Sequence, residues 1–120
     1  MKKIDVSWKV FSVYMLIILF MLIASTANSQ ITVKHFNAGW NEANSADWIM
    51  SLKDCNTKEY VDIVKQPEAQ KKYKIAVVPT IIIFKDGEEV ARFQADLSFK
   101  MVATKEEVQE EIDEQLMSDF

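Results

Sequence analysis

The chain has 120 residues, of which 49% are hydrophobic, and a formal net charge of −4. That length suits one domain with a modest core, and an acidic chain without a Lys/Arg run is a poor partner for nucleic acid or an anionic membrane surface. One cysteine and one histidine exclude an intramolecular disulfide and a zinc site, so we expect neither a metal nor a cofactor.

The first part of the chain has the pattern of an export signal. Three lysines precede an apolar block at residues 10–24, and small residues at 27–29 follow it. The block is shorter than the roughly 20 residues that a helix needs to cross a membrane. A basic start, a short apolar core and a small-residue exit are instead what signal peptidase recognises.

We therefore expect residues 1–29 to be a signal peptide and residues 30–120 to be an exported domain, either periplasmic or secreted. Cleavage would remove three lysines and one aspartate, which changes the net charge from −4 to −6. The alternative is an uncleaved N-terminal anchor, and only in that case do we expect contact with a membrane.

The first half of the exported domain predicts alternating strands and helices. A β-branched run at residues 31–36 predicts a strand. Residues 42–53 lack glycine and proline and predict a helix with an apolar packing face. Residues 60–64 predict a second strand, and a proline then starts a short helix over 67–73.

The second half predicts a hairpin and a final helix. Residues 80–84 are a continuous apolar run, typical of a strand buried on both faces, and an Asp-Gly turn leads into a strand at 89–93. Thr104 and Glu107 have the capping-box spacing. They predict a helix over 105–117, with an apolar stripe toward the sheet and its acidic residues in solvent.

Two segments resemble the thioredoxin family. Lys72 to Glu88 resembles the family's segment around its cis-proline, and Pro67 lies twelve residues before Pro79, as in thioredoxins. Phe36-Asn-Ala-Gly-Trp40 resembles the strand end and tryptophan that introduce the family's Cys-x-x-Cys motif. The resemblance covers nearly all of residues 31–117. It implies an α/β, minimal thioredoxin-like fold in the order β-α-β-α-β-β-α, with a central four-stranded mixed sheet and flanking helices.

Both cysteines of that motif are absent. Where the family has Trp-Cys-x-x-Cys, this sequence has Trp40-Asn41-Glu42-Ala43-Asn44. Disulfide exchange needs a thiolate and then a second, resolving thiol, and asparagine amides supply neither. His35 and Tyr60 stand where the resemblance implies the family's buried aspartate and its partner lysine. We therefore assign no catalytic residue, and enzymatic activity through a dithiol is not expected.

The bend before the third strand is the candidate binding site. We expect a cis Val78–Pro79 bond, and the resemblance implies that the backbone before the proline pairs with a bound peptide. The candidate peptide-binding residues are Trp40, Asn41, Asn44, Val78 and Pro79, with the tryptophan as apolar anchor beside a strand-addition edge. The alternative is that the proline serves only the fold and the asparagines only cap a helix.

The lone histidine and the lone cysteine each have a structural and a chemical interpretation. His35 shares a strand face with Ile31 and Val33, which favours a buried, hydrogen-bonded neutral imidazole over a catalytic base. Cys55 follows the predicted helix, where a buried free thiol is the common case. A reactive thiol there would require exposure and a lowered pKa.

The leading hypothesis for function is a redox-inactive, exported thioredoxin-like module that binds a protein or extended peptide of the cell envelope through the Trp40 and Pro79 region. Two alternatives stay open. One is a monothiol redox protein that uses Cys55. The other is a structural subunit anchored in a membrane by residues 10–24.

Overall fold

The computed structural model describes residues 29–118. The predicted apolar core of the signal peptide or anchor lies outside the described residues. Within residues 29–118, no helix is long and apolar enough to cross a membrane.

A four-stranded mixed sheet forms the centre of the fold. Its strands are β1 (Ile31–Asn37), β2 (Thr57–Asp62), β3 (Thr80–Lys85) and β4 (Glu88–Gln94). Across the sheet the strand order is β2-β1-β3-β4. β1 and β2 are parallel, with His35 opposite Tyr60, and β3 runs antiparallel to both β1 and β4. The mixed α/β sheet predicted from the sequence is therefore confirmed.

Each face of the sheet carries its own apolar cluster because successive side chains of a strand point to opposite faces. On one face the final helix α2 (Lys105–Met117) buries Val108 and Ile112 against the side chains of Ile31 and Val33. On the other face Phe36 packs with residues of the segment that follows helix α1 (Pro67–Lys72).

The final helix has the predicted bounds, and its start has the predicted cap. The Thr104 hydroxyl accepts a hydrogen bond from the backbone N–H of Glu107 at 3.2 Å, which satisfies one of the amides exposed at a helix start. Val108 and Ile112, four residues apart, are fully buried. Helix α1 likewise begins at Pro67, where a missing N–H has no consequence for the helix.

The predicted helix over residues 42–53 is wrong. Two short 3-10 helices, Gly39–Asn44 and Asp47–Ser51, stand in its place. The buried amide of Asn37 donates to the carbonyl of Asn41 at 3.1 Å and to the hydroxyl of Ser45 at 2.9 Å. An α-helix would direct that carbonyl to the amide of Ser45, so the side-chain bond competes with the helical ladder.

The second strand lies earlier than the prediction of 60–64, at Thr57–Asp62. The carboxylate of Asp62 accepts the backbone N–H of Val64 at 2.9 Å. Such an aspartate turn bends the chain at once, so the apolar residues after Asp62 lie in a turn and not in the sheet.

Candidate functional site

The loop after β1 places an exposed tryptophan beside a buried asparagine. Trp40 is 65% exposed, whereas Asn41, the next residue, is 5% exposed. Both lie in the first 3-10 helix, where Asn41 has φ −112° and ψ 17°, outside helical values. The local kink turns one side chain outward and the next one inward.

The Asn41 side chain links three segments of the chain. Its Nδ2 lies 3.1 Å from Oδ1 of Asn37, 3.1 Å from the carbonyl of Phe99 and 3.5 Å from the carbonyl of Val78. Its Oδ1 accepts from Nδ2 of Asn44 at 2.8 Å. An amide has only two N–H donors, so the two shorter contacts are its main bonds and the contact with Val78 is the weakest.

The segment before α2 forms a tight loop, residues 95–101, that we call the Phe99 loop. Oδ1 of Asp96 accepts from the hydroxyl and amide of Ser98 and from the amide of Lys100, at 2.6, 2.8 and 3.1 Å. These donors, with the hydroxyl of Ser98 first, hold the pKa of Asp96 below its usual value. The amide of Ala95 donates to the carbonyl of Pro79 at 3.0 Å, which anchors the loop beside the bend.

Phe99 packs against Trp40. The two ring centroids are 5.2 Å apart and the rings are nearly perpendicular, at 88°, which is a favoured aromatic geometry. Phe99 is itself 41% exposed, and Leu97 in the same loop is 97% exposed. We call Trp40, Leu97 and Phe99 the Trp40 surface.

The structure brings the five predicted site residues together but leaves few of them accessible. The Val78–Pro79 bond is cis, and Val78 is only 3% exposed. Pro79 and Asn41 are also buried, so a partner can reach only Trp40 and part of Asn44. Nothing in the sequence indicated that the aromatic ring and the carbonyl of Phe99 meet Trp40 and Asn41.

His35 lies on β1, close to the loop that follows this strand, and is 4% exposed. Its Nε2 accepts a hydrogen bond from the amide of Ala46 at 3.4 Å. Burial lowers the pKa of His35 to about 4, against a smaller opposing effect of Asp47. The prediction of a neutral, hydrogen-bonded imidazole is therefore confirmed. The ring of Tyr60 meets it edge to face, with centroids 5.3 Å apart.

Solved thioredoxins share this architecture. A thioredoxin from Schistosoma mansoni is 27% identical and superposes with a TM-score of 0.56 over 80% of this chain and 85% of its own. A thioredoxin from Halobacterium salinarum superposes with a TM-score of 0.57 over 72% of this chain and 75% of its own, at 16% identity. The chain has a thioredoxin-like fold.

One curated relative has a detectably similar sequence. The chain is 42% identical over 52 residues to the chloroplastic thioredoxin Y1 of Arabidopsis thaliana. The match covers 43% of this chain and 30% of the length of the plant protein. No protein-family model matches the chain.

The single cysteine of this thioredoxin-like chain is not at the motif position. Cys55 lies between the second 3-10 helix and β2 and is half-buried. Its Sγ lies 3.8 Å from the carbonyl of Leu52. Burial raises the pKa of the Cys55 thiol above its usual value, and the nearby Lys58 only partly opposes this. A raised pKa reduces the thiolate fraction at neutral pH, which is the reactive form.

The described residues hold no group of three or more His, Cys, Asp or Glu side chains arranged to bind a metal ion. The polar side chains of the site are instead bonded to one another, as in the pairs of Asn41 with Asn37 and Asn44. The exposed hydrophobic side chains of the site are those of the Trp40 surface.

Proposed function

We propose that this chain is a redox-inactive, exported thioredoxin-like module that binds a protein or extended peptide of the cell envelope through the Trp40 surface. The observation that carries the proposal is the 65% exposure of Trp40 at a position held by the ring of Phe99. Tryptophan is among the residues that contribute most to binding when a partner covers them. An aromatic ring already held in place loses less freedom on binding.

The chemistry of the motif position supports the redox-inactive part of the proposal. Asn41 stands where a thioredoxin has its first cysteine, and its amide is bonded to Asn37 and Phe99. Cys55, the single thiol of the chain, has a raised pKa. An amide cannot form the thiolate that starts disulfide exchange, and the raised pKa of Cys55 lowers the fraction of its thiol in that form.

The burial pattern indicates how a partner would bind. Because Val78 and Pro79 are covered, contact is proposed at the side chains of Trp40 and Phe99, with Asn44 at the rim. Strand addition at Val78 would have to displace the Asn41 amide, whose Nδ2 lies 3.5 Å from the carbonyl of Val78.

The test is affinity capture from the envelope fraction, with quantitative comparison of the wild type with Trp40→Ala. Val64→Ala is the matched control because Val64 is 62% exposed but lies in the turn after β2. We expect at least one specific partner that Trp40→Ala loses and Val64→Ala keeps. Equal capture by all three proteins would place the binding surface elsewhere and contradict the proposal.

A further inference from the structure

A cavity of about 310 Å³ opens beside the buried histidine. It lies between the two 3-10 helices and the edge of the sheet at β2, and His35 and Tyr60 line one side of it. Ile49 and Met50 provide an apolar wall. The cavity exists where the predicted α-helix is replaced by two 3-10 segments, and its lining does not include the Trp40 surface.

The ring of His35 lines this cavity and has one unused hydrogen-bond donor. Its Nε2 accepts from the amide of Ala46, so the neutral ring carries its proton on Nδ1. Nδ1 makes no hydrogen bond with residues 29–118. Every fully enclosed side-chain nitrogen or oxygen of those residues has a partner, so Nδ1 retains open surface, and the space beside His35 is the cavity.

Acidic residues line the cavity, but only two of their carboxylates lie on its side of the sheet. Glu42, Asp47 and Glu59 are among its lining residues. Glu59 faces the ammonium of Lys34 at 3.5 Å. Since Lys34 and His35 are successive residues of β1, the carboxylate of Glu59 lies on the opposite face of the sheet from His35. The side chains of Glu42 and Asp47 make no ion pair within the described part of the chain. The other nearby cation, Lys58, donates to the backbone carbonyls of Met50 and Leu52 at 2.9 and 3.0 Å.

We infer that this cavity binds an α-amino amide, the group found in a free amino-acid amide and at the amino terminus of a peptide. The ammonium would lie between Glu42 and Asp47, near the ring face of Tyr60. The adjacent carbonyl oxygen would accept from Nδ1–H of His35, since that donor has no partner among residues 29–118. An apolar side chain of the ligand would pack on Ile49 and Met50.

The probe is L-leucinamide, added to the purified ¹⁵N-labelled chain and followed by NMR at the amide of Ala46 and the ring nitrogens of His35. We expect saturable shifts at these positions. 4-Methylpentanamide lacks the ammonium and isopentylamine lacks the carbonyl, and each should bind about tenfold more weakly because it loses one charge-assisted or buried hydrogen bond. The tripeptide Leu-Gly-Gly tests whether the ligand is a free amino-acid amide or the amino terminus of a peptide. Tighter binding of the tripeptide than of leucinamide would assign the site to peptide amino termini.

Asp47→Asn is the decisive variant because Asp47 is exposed and the change retains its shape. It should weaken the binding of leucinamide about fivefold or more and leave the affinity for 4-methylpentanamide unchanged. Glu106→Gln, on the exposed side of α2, is the matched control and should change neither affinity. Shifts that do not saturate, or equal affinities for leucinamide and its uncharged analogue, would overturn the inference. None of these outcomes depends on the Trp40 surface.

Discussion

The backbone carbonyl of Phe99 accepts a hydrogen bond from Nδ2 of Asn41 at 3.1 Å. The residue at the first motif position of the thioredoxin-like fold therefore has a structural role. It joins the loop after β1 to the Phe99 loop and places the ring of Phe99 against Trp40. The same side chain that cannot perform thiol chemistry holds the proposed binding surface in place.

Asn41→Ala should lower the free energy of unfolding by about 1–3 kcal/mol, because Oδ1 of Asn37 and the carbonyl of Phe99 then lose a donor in a largely dry environment. Asn44→Ala removes only one bond, at a half-buried position, and should have a smaller effect. Urea unfolding of both variants measures the difference. Equal destabilisation would show that the network does not centre on Asn41.

Trp40→Ala should separate binding from stability. The exposed indole contributes little to the core, so the free energy of unfolding should change by less than about 1 kcal/mol, while affinity for a captured partner should fall by about 2 kcal/mol or more. Phe36→Ala is the contrasting core variant, since Phe36 is fully buried, and should lose about 3–5 kcal/mol of stability. If thermal unfolding shows that Trp40→Ala destabilises the domain as much as Phe36→Ala does, Trp40 belongs to the core.

The purified chain should not reduce insulin disulfides when supplied with a dithiol donor, because no thiolate stands at the motif position. Cys55→Ser controls for the single thiol. Turnover above background that persists in this variant would refute the redox-inactive proposal. The double change Asn41→Cys with Asn44→Cys should give a poor catalyst, since His35 and Tyr60 do not provide the carboxylate and ammonium that the thioredoxin resemblance implies for proton transfer.

The stability of the domain should fall as the pH drops from about 6.5 to about 4. His35 stays neutral in the folded chain, with its pKa lowered to about 4, whereas an unfolded histidine takes up a proton near pH 6.5. In that window the unfolded state binds more protons, so stability decreases toward acid by up to about 1.4 kcal/mol per pH unit. His35→Gln keeps an acceptor for the amide of Ala46 and should flatten the curve. Parallel curves for the two proteins would contradict this assignment.

Export should leave Gln30 at or near the amino terminus of the mature protein, because the residues before it form the predicted small-residue exit of a signal peptide. Cell fractionation followed by mass spectrometry of the intact protein measures this directly. Recovery of a form that begins at Met1 in washed membranes would favour the anchored alternative.

The sequence by itself determined the order of the strands, the bounds of α2 and the absence of a Cys-x-x-Cys pair. These features depend on local causes. The hydroxyl of Thr104 caps a helix three residues away, apolar residues recur with the period of a strand or a helix, and an amide is not a thiol whatever surrounds it.

Only the tertiary structure decided the conformation after β1 and the composition of the site. Asn41 meets Phe99 across 58 positions of the chain and Val78 across 37, and no local propensity encodes such contacts. The side chain of Asn41 bonds backbone carbonyls across these distances. Together with the bonds from Asn37 to Asn41 and Ser45, it overrides the helical preference of residues 42–53. Long-range packing also buries Val78 and Pro79, leaves Trp40 exposed and forms the cavity beside His35. Each of these features depends on which distant segments pack together.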